Sequence, residues 1–209
     1  MNNKLLQCIN TRRSMRGFTK QKVTKKQLEQ IVEAGLRAPS SKNAQPWYLV
    51  VLQGKEKDKV ADCIRDDMKK YACVPTNVTD GKKLKGMFDS TNESIKIIEE
   101  ASAIILIFNR EVYSKGFSEA KGKRIDVRKL YTYAVEILGL GACMQNILLA
   151  AHAQGLGAVA MADVYPGAVK IKKHYKLDYQ FMIGVAIGYP AYKTKKREIS
   201  FKNFVKFIE

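Results

Sequence analysis

From about Leu130 to Gln154 the chain runs LYTYAVEILGLGACMQNILLAAHAQ, apolar on nearly every face. An amphipathic helix shows water one side; a helix of this composition does not. It has to be buried all round, either inside a core or across a subunit interface. Gly155-Leu156-Gly157 ends it. Whatever else this chain forms must supply apolar surface around that one element.

The other segments supply it as a mixture of helices and strands. Thr24-Lys-Lys-Gln27 has the form of a capping box, and Leu28, Ile31, Val32 and Leu36 follow at helical spacing, so a helix is predicted from 25 to about 37. Pro39 stops it. Tyr48–Gln53 and Ala103–Phe108 are short apolar runs of the kind found in buried strands, and Phe181–Tyr189 is a third. A further short strand is predicted at Ala158–Met161. Val60, Ile64 and Met68 give a helix over Lys55–Tyr71, and another is placed around 167–175. Residues 73–92 and 114–126 are polar or charged with interspersed glycines, and read as loops. The resulting class is α+β: a mixed central sheet of four to five strands flanked by helices, in one domain over residues 1–209.

Several function classes lose support at this point. Lys and Arg number 37 against 20 acidic residues, a formal charge of +17, but the lysines are spread over the whole chain. With no RNP-like aromatic motif, zinc finger or recognition helix, no nucleic-acid partner is expected. The four cysteines (8, 63, 73 and 143) form no C-x-x-C pair, and His152 and His174 are isolated. No metal site is expected, the histidines are read as structural, and Cys143 as buried. No segment is read as reaching the roughly 18 uncharged apolar residues of a membrane span, and the N-terminus lacks a signal-peptide pattern. A cytoplasmic protein without a membrane partner is expected.

Three motifs bear on chemistry. GLGAVA at 155–160 matches G-x-G-x-x-A, but its glycines follow a helix and precede a strand, the reverse of a dinucleotide fingerprint. Thr11-Arg-Arg-Ser-Met-Arg-Gly-Phe18 gathers three arginines and two hydroxyls at the end of a short amphipathic helix. Forked guanidinium donors beside hydroxyls are what a phosphate dianion requires, although a solvated basic turn has the same composition. RAPSSKNAQPW at 37–47 breaks the second helix into an extended polar loop, with Trp47 anchoring its exit into a strand. It suits a flat ligand, or serves simply as a helix-to-strand connection.

Taken in order, RRSMRGF, APSSKNAQPWYLVVL, NILLAAHAQGLG, and IGVAIGYP with KKREISF resemble the FMN-dependent nitroreductase family, from Ile9 to about Phe204. The resemblance implies an intertwined homodimer of nitroreductase-like fold with FMN at the subunit interface. It implies that Arg12, Arg13, Ser14 and Arg16 hold the phosphate, ribityl chain and N1/C2=O edge of the flavin. Pro39, Ser40, Ser41 and Asn43 would pack on the ring from the other subunit, and Lys195 and Arg197 would close on the phosphate. A backbone N–H of Ala162 or Asp163 would face flavin N5, though the family usually has a glycine nearby. NAD(P)H would deliver hydride to N5, and an electron-poor small molecule (a nitroaromatic, quinone or similar) would then use the same face in a ping-pong cycle, without a catalytic side chain. Residues 73–126 correspond to the family's variable substrate cover, with Tyr71, Phe88, Tyr113 and Phe117 as lid candidates, and 191–209 to a basic C-terminal arm. The alternatives are a specialised relative on the same scaffold (a reductive dehalogenase or a flavin- or azoline-processing enzyme) and, from another class, a basic nucleic-acid binder.

Overall fold

The computed structural model describes residues 3–71, 81–117, 126–195, 198 and 204–208; for 69–71 and 81–87 it describes the backbone alone. The strands are β1 (Trp47–Gln53), β2 (Ala103–Asn109), β3 (Gly157–Met161) and β4 (Gln180–Gly188), in the spatial order β1-β2-β4-β3. All these pairings are antiparallel, and the parallel component is one isolated bridge between Ser14 and Ala158.

β2 lies in the middle and is buried along its whole length. Side chains alternate across a strand, so Ile104, Leu106 and Phe108 join one apolar cluster while Ala103, Ile105 and Ile107 join another. The first cluster packs under α3 (Gly54–Tyr71), α4 (Gly81–Glu100) and α6 (Ala168–His174). The second packs under α2 (Lys25–Leu36) and α5 (Val127–Ala153). A sheet covered on both faces explains why its strands read as nearly unbroken apolar runs. A register shift between Ile107 and Phe108 brings Phe108 opposite Phe181, whose rings meet edge-on at 5.4 Å.

The helix signals in the sequence have visible partners. Thr24 accepts from the Gln27 N–H while the Gln27 side chain accepts from the Thr24 N–H, the reciprocal capping box. α1 (Lys4–Thr11) is capped by Asn3, whose carbonyl oxygen accepts from Leu5 and Leu6. α5 begins at Asp126 and ends where Gly155 turns left-handed at φ 75°. The Rossmann-like GLGAVA does lie between a helix and a strand, in the wrong order for a dinucleotide.

Three expectations change. The loop expected over 73–92 is helical from Gly81 onward; 72–80 fall outside the described residues. Glycines and lysines mask a helix that tertiary packing stabilises, because Thr91, Ser94, Ile95 and Ile98 are buried. Lys57, itself buried, donates to the Ile98 and Glu99 carbonyls and so satisfies the last turn of α4. The surface loop expected from 114 begins with a buried residue. Ser114 Oγ and the Tyr113 N–H both donate to Glu136 on α5, which is 3 % exposed and also accepts from Asn109. Finally, α5 is long and apolar enough to cross a membrane by length and composition, contrary to the expectation that no segment is. Its inner face packs on α2 and the sheet, as a core helix does, while Leu138 and Tyr131 on the outer side stand 73 % and 70 % exposed.

Candidate functional site

The segment after α1 runs along the β3 edge of the sheet. The Met15 N–H donates to the Ala158 carbonyl at 3.0 Å, which lays residues 12–16 beside the start of β3. That close approach requires a glycine: a Cβ on Gly157 would sit 2.5 Å from Met15 Cγ. Farther along, the Thr19 N–H bonds Tyr189 and Phe18 bridges Pro190, so the chain leaving β4 is held alongside.

Between these segments and the C-terminal end of α5 lies a cleft of about 350 Å³. Arg12, Arg13, His152 and Lys193 line it, with Gly155–Ala158 as the floor and Tyr192 at the side. Among the described residues no carboxylate pairs with Arg12, Arg13 or Arg16. The His152 imidazole reports the resulting field. Its pKa lies below the usual histidine value, first because it is partly buried and then because Arg12 and Arg13 repel its charged form.

The two neighbouring arginines are used differently. Arg13 spends its guanidinium on three carbonyls, those of Asn10, Arg12 and Lys195. The Lys195 contact, at 3.2 Å, ties the C-terminal arm to the cleft through the backbone, while the Lys195 residue itself is exposed. Arg12 has no hydrogen bond from its side chain to a described residue and keeps its full fork for a ligand. Arg197 lies outside the described residues.

A second, smaller cavity of about 140 Å³ opens on the next stretch of the same segment. Arg16 lines it together with Ala162 and Asp163, just past the end of β3, and with Ser90, Glu93 and Ser94 of α4. Ser90 Oγ donates to Asp163 Oδ2 at 2.7 Å and clamps the 3-10 turn Ala162–Gly167 to α4. Tyr165 and Pro166, which the sequence left unplaced, belong to that turn.

Seven of the predicted residues therefore lie along the β3 edge of the sheet: Arg12, Arg13, Ser14 and, through its carbonyl, Lys195 by its start, and Arg16, Ala162 and Asp163 toward its end. Pro39, Ser40, Ser41 and Asn43 are elsewhere, against α5 at Gly139, where a Cβ would approach Ser40 Cβ and the Pro39 carbonyl. Gly139 precedes His152 by thirteen residues, a rise of about 20 Å along the helix. The loop is tightly wound. Lys42, Asn43 and Gln45 are all left-handed at φ 48°, 54° and 47°, and the Gln45 N–H bonds Ser40 Oγ. Trp47 is buried at its exit, as expected.

Of the lid candidates, Phe88 lies on α4, and Phe117 stacks on Tyr133 of α5 at 4.2 Å; Tyr113 is exposed, and the side chain of Tyr71 is not among those described. None of the described three lines either cavity. Sequence reasoning missed His152, Lys193 and the α4 group Ser90, Glu93 and Ser94. Only the position of His152, one turn before the GLG stop, could have flagged it.

The family model described as Nitroreductase family matches residues 9–189. An Archaeoglobus fulgidus protein described as an NADH dehydrogenase/NAD(P)H nitroreductase is 26 % identical over 190 residues, covering 88 % of this chain and 84 % of that protein. A crystal structure from Desulfovibrio desulfuricans, described as a nitroreductase in complex with FMN, superposes with a TM-score of 0.71 at 25 % identity, over 100 % of this chain and 99 % of that one. A BluB-like flavoprotein from Clostridium difficile reaches a TM-score of 0.80 at 22 % identity over the full length of both chains, a likeness of fold. With the family match spanning the arginine segment, the loop before β1, α5 and β4, the chain belongs to the nitroreductase family.

Proposed function

We propose that the arginine-lined cleft receives the phosphate of FMN, and that the chain reduces small electron-poor acceptors such as nitroaromatics or quinones. As a member of its family the chain is an FMN-dependent NAD(P)H oxidoreductase. The observation that carries the site assignment is Arg12: a guanidinium beside a cleft, unpaired with any described carboxylate, next to a histidine whose pKa is lowered by burial and then by Arg12 and Arg13. A dianion is the ligand such a donor set fits.

In this reading Arg12 grips the phosphate, Arg13 holds the C-terminal arm in place beside it, and Ser14 lies along the ribityl chain. Lys195 and Arg197 bring further positive charge from the arm. Arg16, one cavity along, places a cation at the N1/C2=O edge of the ring, and a backbone N–H of Ala162 or Asp163 faces N5. FMN held by these residues would supply the two-electron chemistry that links NAD(P)H to the acceptor. No side chain need act as acid or base. Ser90 would fix the turn that carries the N5-facing amide, and Arg16 would stabilise negative charge on the reduced ring.

The loop Pro39–Asn43 has to reach the ring from a second copy, because within one chain it packs at the middle of α5, about 20 Å along the helix from His152. We therefore assign a homodimer built on the exposed apolar side of α5. Residues 1–209 then form one FMN-binding domain, with the substrate cover drawn from the parts of 73–126 on either side of the buried strand β2. Cys8, Cys63 and Cys143 are free thiols, which fits a cytoplasmic location.

The test is the visible spectrum of the purified protein, followed by anaerobic titration with NADH and NADPH. A bound flavin absorbance that bleaches on addition of either nicotinamide and returns with a nitroaromatic or quinone supports the reading. Colourless protein that cannot be reconstituted with FMN overturns it.

A further inference from the structure

Among the cleft residues to which the family resemblance gave no role is His152. Its Nε2 lies 2.9 Å from Thr11 Oγ1, and Thr11 Oγ1 lies 2.7 Å from the Gln7 carbonyl oxygen. A hydroxyl carries one proton, and a carbonyl can only accept, so that proton goes to Gln7. The Thr11 oxygen must then accept from His152, which places the ring hydrogen on Nε2. Nδ1 is left as the bare nitrogen of the neutral ring, with no hydrogen-bond partner among the described residues. A neighbouring group that locks one ring nitrogen defines the chemistry of the other.

The surroundings of the ring are cationic. Arg12 and Arg13 come from the end of α1, Lys193 from the segment after β4, and Tyr192 lines the same wall. On the α1 side Cys8 donates its thiol hydrogen to the Leu149 carbonyl. No acidic residue among those described lines the cleft. Such a cluster disfavours a charged imidazole while the cleft is empty, and a dianion reverses that balance.

Building on the reading that this cleft takes the FMN phosphate, we infer that His152 is a proton-accepting member of the phosphate site: Nδ1 takes a proton from solvent as the dianion enters and donates it as a hydrogen bond to a phosphate oxygen. Cofactor binding is then linked to proton uptake. Because the complex holds more protons than its separated parts, FMN affinity falls as pH rises through the histidine's titration range. Above about pH 7 free FMN is largely dianionic, since its second phosphate pKa is about 6, and does not confound the effect.

The chain has only two histidines, His152 and His174, so their ring resonances can be followed by NMR and assigned with one variant, His152→Gln. The expected result is that His152 titrates about one pH unit or more higher in the FMN-loaded protein than in flavin-free or riboflavin-loaded protein, with His174 unmoved. Between about pH 7 and 8.5 the FMN dissociation constant should rise several-fold in the native protein, and by less than about twofold in His152→Gln. An unchanged His152 titration in protein that binds FMN stoichiometrically overturns this inference alone. The same upward move with riboflavin, which has no phosphate, also overturns it. Failure to bind FMN at all removes the functional reading as well as the inference. The resonance measurement on the native protein stands even if the variant does not fold.

Discussion

Arg12 and Arg13 are adjacent and chemically identical, yet the backbone path after α1 gives them different work. Arg13 is consumed by three carbonyls, and Arg12 is left open to the cleft. Arg12→Ala should therefore weaken FMN binding roughly 10- to 100-fold, the loss of a charge-assisted contact, as read by flavin fluorescence during dialysis. Arg13→Ala should act mainly on the arm, seen as faster limited proteolysis after residue 190 with a smaller loss of flavin. The contiguous cluster RRSMR was legible in the sequence because its members are neighbours along the chain. His152 was not, since it meets Thr11 across 141 residues and only the folded chain brings them together. Cys143 was correctly read as buried, and burial pushes its thiol pKa up to about 12. It should stay unmodified by a thiol-specific disulfide reagent at pH 8 in the native protein and react at once in denaturant.

Among the elements, those with strong local signals matched their reading. β2 appeared as an uninterrupted apolar run because both of its faces are covered, and α2 announced its start with Thr24 and Gln27. Thr24→Ala should remove one half of the capping box and lower stability by about 1 kcal/mol, measured as a shift in the urea midpoint with unchanged slope. α4 had no comparable signal. Its buried positions include Thr91 and Ser94, polar residues that contribute nothing to an apolar stripe, and its C-terminal carbonyls are capped by Lys57 from another helix. The loop before β1 was legible as a break at Pro39. Its three left-handed non-glycine residues were not, because Lys and Gln carry no signal for φ near 50° and Asn43 alone is of a type that favours it.

For the whole molecule, the apolar α5 was the right place to begin. The sequence demanded burial on every side, and a single chain covers only the inner one. Leu138→Glu would put a charge at the centre of the proposed dimer contact. The expected outcome is a monomer by light scattering and loss of most bound flavin, with the far-ultraviolet circular dichroism largely retained; a dimer that still carries flavin would show that α5 does not pair. α5 also works as a spacer, with the Pro39–Asn43 loop at its middle and the arginine cleft about 20 Å away at its C-terminal end. Two defective genes could then rescue each other. A cell making one chain damaged only at Arg12 and another damaged only in the loop would assemble mixed pairs in which one of the two pockets draws both of its halves from undamaged parts, and would regain activity that neither chain has alone.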